Sequence, residues 1–112
     1  MRIVCLVLAA WVIAPVLATA QDAAVVARGE KVYAAQKCAI CHSIAGKGNP
    51  KGPLDDVGSR LSAEEIRLWI VDPVAMTAKT KAARKPPMKA YASLPKDALD
   101  ALVAYMQSLK KK

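Results

Sequence analysis

Residues 38–42 read Cys38-Ala39-Ile40-Cys41-His42. Two thiols separated by two residues, with an imidazole directly after the second, form the attachment spacing of a c-type haem. The chemistry accounts for the pattern. A haem carries vinyl groups on neighbouring pyrrole rings, and Cys38 and Cys41 can each reach one and form a thioether. His42 then lies under the iron and offers an imidazole nitrogen as ligand. Three other readings fit less well, one of them a chance match in a loop. A thioredoxin-like redox pair expects a βαβ pattern nearby, and the flanking chain shows no strand-like alternation. A structural zinc takes four Cys or His ligands, and beyond residue 20 the chain offers only Cys38, Cys41 and His42.

The rest of the chain is consistent with a cofactor at its centre. Its 112 residues suffice for one domain. There is no Phe, and of two Trp only Trp69 lies beyond the N-terminal segment. So small and aromatic-poor a chain has little to bury. A covalently held macrocycle would supply the missing core, and the haem-free chain is expected to be largely unfolded. The formal net charge is +8. Nucleic acid, an anionic membrane or an acidic protein could answer such a charge. The sequence has no nucleic-acid motif, arginine-rich tract or aromatic stacking platform, so an acidic protein partner is expected. The plainer alternative is that the lysines only solvate the surface.

Residues 1–20 read as a secretory signal: Arg2, an apolar run from Ile3 to Leu17, then Ala18-Thr19-Ala20 as an Ala-x-Ala cleavage site. The mature domain would be residues 21–112. The alternative, an uncleaved anchor, fits less well because the apolar run is shorter than the ~20 residues of a spanning helix, and no membrane span is expected in the mature chain. Cys5 would leave with the signal. The two remaining thiols both belong to the haem motif, which leaves none for a structural disulfide. The expected compartment is the periplasm.

Composition and spacing predict a first helix over residues 22–36, capped by Asp22 and containing an unexpected Gly29. A glycine inside a helix points to close approach of another element. Residues 43–61 read as irregular, punctuated by Gly46, Gly48, Pro50, Gly52, Pro53 and Gly58. Ser62 and Glu65 form a capping-box pattern for a second helix, which Pro73 would stop after Asp72. Trp69 on that helix has an indole donor that needs a partner when buried, either a haem propionate or a group in the core. Residues 73–94 read as a long loop, bearing Met76, Met88 and five basic residues between Lys79 and Lys89. A last helix starts near Pro95 or Lys96, with Leu99, Leu102, Val103, Met106 and Leu109 as an apolar stripe.

These features resemble a small class I monohaem cytochrome c over nearly all of residues 21–112. The resemblance rests on Gly29-x-x-x-Tyr33, the Cys38–His42 motif, Gly52-Pro53-Leu54, a late Met88, and Leu102-Val103-Ala104-Tyr105. It implies an all-α fold of three to four helices around one covalent haem c, with the first and last helices crossing at Gly29. It also implies that the segment from Gly52 orients the proximal imidazole. No second His exists in the chain, so a Met thioether is the expected sixth ligand. The family places that Met before the last helix and next to proline, which favours Met88. Here Pro86 and Pro87 precede Met88 and Lys89 follows, where family members commonly have Pro after the Met. Met76, a lysine or an open position are the alternatives. The implied function is one-electron carriage between a donor and an acceptor protein with acidic docking patches, as a monomer or in transient complexes, and not as an enzyme. A haem subunit of a larger oxidoreductase is the runner-up, and a five-coordinate sensor or enzyme the third reading.

Overall fold

The computed structural model describes residues 10, 11 and 17–112. The expected signal at 1–20 lies mostly outside them. Helix α1 spans Leu17–Ala35, so it begins earlier than residue 22, and Asp22 is an exposed position inside it rather than its cap. Lys37, at φ +58°, turns the chain left-handed after α1 and into a single 3₁₀ turn at Cys38–Ile40. The glycine-rich stretch that follows is more ordered than its composition suggests. Strands β1 (Ser43–Ile44) and β2 (Lys47–Gly48) pair antiparallel around Ala45-Gly46, both at positive φ. Two such residues make the tight mirror-image turn that matches strand twist.

Helix α2 (Val57–Arg60) is one turn long. Helix α3 (Ala63–Val71) begins with the expected capping box, in which the Glu65 amide donates to Ser62 Oγ at 3.1 Å and the Ser62 amide to Glu65 Oε1 at 3.1 Å. Pro73 ends α3 but also opens α4 (Pro73–Thr80), occupying a first-turn site where its missing N–H costs nothing. Asp72 serves both helices, closing α3 and accepting from the Ala75 amide at 3.2 Å. The expected loop at 73–94 therefore shrinks to 81–95. With α5 (Lys96–Ser108) the described residues hold five α-helices, against the three to four expected.

Helix α5 is the hub. Ala101, Leu102, Val103 and Met106 on its stripe are buried, and Leu102, Val103 and Met106 pack with Tyr33, Val57, Ile66 and Ile70. It crosses α1 at the buried Gly29, where a Cβ would strike the Ala101 carbonyl oxygen and lie 2.6 Å from Tyr105 Cβ. That is the close approach expected of this glycine. A second one was not foreseen. Gly58 in α2 packs against the end of α5, a Cβ there lying 2.9 Å from the Leu109 carbonyl oxygen. The Gly58 amide donates to that oxygen at 2.8 Å, and Lys110 Nζ donates back to the Gly58 carbonyl at 2.7 Å. Ion pairs Arg28–Asp97 (2.8 Å) and Arg67–Asp100 (2.6 Å) tie α1 and α3 to α5. The first is largely exposed and the second part-buried, and exposed pairs contribute little individually.

Candidate functional site

The 3₁₀ turn closes with Cys41 N and His42 N both donating to the Cys38 carbonyl, at 3.1 and 2.9 Å. Asn49 holds this turn in place. Its amide donates to the carbonyls of His42 (2.9 Å) and Ala39 (3.1 Å), and its Nδ2 donates to Ile40 O at 3.1 Å. Gly48 allows that approach, since a Cβ there would strike the His42 carbonyl. Sequence reasoning missed Asn49 as a site residue. Its only signal was an asparagine among glycines, which reads as a turn, and it does make one by accepting from the Lys51 amide at 3.0 Å.

His42 Nδ1 lies 3.1 Å from the Gly52 carbonyl oxygen. A carbonyl can only accept, so Nδ1 carries the proton and Nε2 keeps its lone pair for a metal. This is the orienting bond expected of the Gly52 segment. The same carbonyl also accepts from the buried Ser43 amide at 3.0 Å, so it is fixed from two sides. The bond comes from the Gly52 backbone, and Pro53 beside it is exposed. Burial holds the imidazole below its ordinary value of 6.5; the Gly52 bond opposes this and the Arg84 charge reinforces it. The ring is therefore neutral at pH 7, the form that binds metal.

Beside these groups opens a cavity of about 610 Å³. Voids larger than a water molecule are few in protein interiors, whereas bound organic groups occupy pockets of roughly 300–1,000 Å³. Its wall includes Cys38, Cys41, His42 and Met88, together with Leu54, Val57, Leu61, Ile66, Trp69, Ile70, Leu102 and Met106. Trp69 is half-buried and on this wall rather than in a closed core. Met76 is buried in α4 and is not part of the wall. Burial pushes the Cys38 thiol up to about 11, opposite to the depressed value of a reactive redox pair. Both thiols are free of disulfide. Among the described residues no group of three or more His, Cys, Asp or Glu gathers to hold a metal ion. An apolar hollow of this size, two free thiols on its wall and an imidazole with one nitrogen committed elsewhere fit a covalently held iron porphyrin.

A small helical shell built on such a site is that of a c-type haem electron-transfer protein. The cytochrome c family matches residues 26–110, and the chain belongs to that family. Its fold is the all-α cytochrome c fold, and its cofactor is haem c, held through Cys38 and Cys41. Bound haem supplies one-electron ferrous/ferric chemistry; the chain supplies ligation, burial and a surface for redox partners. The chain is similar to cytochrome c oxidase subunit 2 of Alkalihalophilus pseudofirmus, with 28% identity over 92 residues, 74% of this chain and 25% of that protein. It thus spans about a quarter of the length of the curated relative it matches. No solved structure matches it. No helix among the described residues is long and apolar enough to cross a membrane.

Proposed function

We propose that the protein is a diffusible one-electron carrier of the periplasm, released from a signal at residues 1–20, with its haem iron held between His42 and Met88. The observation that carries this reading is the shared cavity wall of Cys38, Cys41, His42 and Met88. Of the other methionines in the described chain, Met76 is off the wall, and Met106 belongs to the buried stripe of α5. With imidazole on one side and thioether on the other, no coordination position remains for a substrate, and Met/His ligation favours the reduced state.

The surface supports carriage between proteins. Lys79, Lys81, Arg84, Lys85 and Lys89 are exposed, and Lys37, Arg84 and Lys89 lie at the cavity wall. Ile40, 68% exposed, adds an apolar spot beside Cys41. Such a basic rim steers an acidic partner into contact and speeds encounter. Electron-transfer rates with the partner are expected to fall as salt rises, and the reduced protein is expected to bind carbon monoxide slowly or not at all. Rates indifferent to ionic strength would remove the steering. Rapid carbon monoxide binding would mean an open iron position and a sensor or enzyme instead.

A second reading has one observation in its favour, the similarity to a stretch of an oxidase subunit. In it the domain passes electrons while held in a larger oxidoreductase. Co-purification with a second polypeptide at fixed stoichiometry would favour it over a free carrier.

A further inference from the structure

Gly52 does more than offer its carbonyl to His42. It is not among the positive-φ glycines, which are Gly46 and Gly48, so its backbone does not demand glycine. What demands it is space. A Cβ on residue 52 would land on Arg84 Nη1 and on the Cys41 carbonyl oxygen, and 3.0 Å from His42 Nδ1. The Arg84 guanidinium and the His42 imidazole therefore both border the room a single methyl would fill. Arg84 comes from the 81–95 loop, four residues before Met88, and also lines the cavity. The ion pairs among the described residues use Arg28, Arg60, Arg67 and Lys96. No carboxylate neutralises Arg84 there.

The geometry points to Arg84 as a positioning residue for redox poise: a cation beside the proximal imidazole that biases the iron toward its reduced state. The inference rests on His42 ligating the haem. Its physics is Coulombic. Oxidised iron carries one more positive charge than reduced iron, so an un-neutralised cation nearby disfavours the oxidised form. The electron itself comes from, and goes to, a partner protein, and Arg84 changes only the balance between the two states. Arginine suits the place because its charge is permanent and its planar group fits beside a ring and a backbone. The other basic residues of the loop lack this placement: Lys81 and Lys85 do not line the cavity, and Lys89, which does, is not among the groups that meet at Gly52.

The test is voltammetry of the haem-loaded protein at low ionic strength, comparing wild type with Arg84→Gln, Arg84→Lys and Lys85→Gln. Arg84→Gln is expected to shift the reduction equilibrium about fivefold toward the oxidised form, ~40 mV for one electron. Arg84→Lys is expected to recover at least half of that shift, and Lys85→Gln to produce less than half of it. The NMR signal of the His42 Nδ1 proton should move in Arg84→Gln and stay in Lys85→Gln. An Arg84→Gln potential that moves no more than that of Lys85→Gln overturns the inference. So does a change in partner rates with the potential unmoved, which would make Arg84 a docking residue only. Haem-shifted His42 ring signals in the wild type report ligation independently, so loss of the ligation reading and loss of the Arg84 effect are told apart.

Discussion

The crossing of α1 with α5 and the loop at 81–95 both shape one cavity, by opposite means. At the crossing, Gly29 lets two backbones touch, and Tyr33 packs edge-on against Tyr105 with ring centroids 5.8 Å apart. Gly29, Tyr33 and Ala101 are buried there and Tyr105 is half-buried, so little can shift without cost. The loop has no helix of its own, residues 81–87 are exposed, and Met88 is its first half-buried side chain. It still borders the cavity, pinned by Tyr91, whose amide donates to the Ile70 carbonyl at 2.8 Å. The crossing supplies Tyr33, Leu102 and Met106 to the cavity wall, and the loop adds Arg84 and Met88. Substitutions at the first should act on stability, and at the second on the spectrum and potential.

Gly29→Leu is expected to give the largest effect, a loss of about 3 kcal/mol or more, because the added carbons meet the Ala101 backbone rather than a flexible side chain. Chemical denaturation would measure it; a loss under about 1 kcal/mol would mean the crossing is looser than its geometry. Next comes pH. Hydrogen bonds from Arg28 to Asp97, and from Lys96 and Arg67 to Asp100, hold both carboxyls below their ordinary value of 3.8. A depressed folded value means the unfolded chain takes up protons first as pH falls. These bonds therefore contribute fully above 3.8, and the contribution is lost as pH drops through the lower folded values. Denaturation midpoints should decline below about pH 4, and decline less in Asp97→Asn/Asp100→Asn. The smallest effect tests the hairpin between the two regions. Ala45 sits at φ +52°, a conformation asparagine tolerates better in this turn. Ala45→Asn should add about 0.5 kcal/mol, and a loss on denaturation would show that the turn is not strained by Ala45.

The same contrast governs what could be read from the sequence. The haem motif, the capping box at Ser62 and the stripe of α5 are local patterns, and each has its physical cause within a few residues. The start of α1 was misplaced because Asp22 looks like a cap, although the helix runs through it from Leu17. Helix α4 was missed because proline stops one helix and starts the next at the same position. The hairpin was invisible because two-residue strands leave no alternation to detect. Gly58 and Arg84 were illegible for a deeper reason. Gly58 matters only because α5 ends against it, and Arg84 only because a glycine 32 positions earlier leaves it room. Neither partner is marked in the sequence by spacing.

The proposed closure of the iron by the Met88 thioether of the 81–95 loop has a direct test. The measurement is the weak near-infrared sulfur-to-iron absorption band of the oxidised protein in Met88→Leu and Met76→Leu. Leucine conserves volume, so either change should cost under about 1.5 kcal/mol of packing. The band is expected to vanish in Met88→Leu and persist in Met76→Leu. A band that survives Met88→Leu, or is absent from the wild type, would contradict the claim.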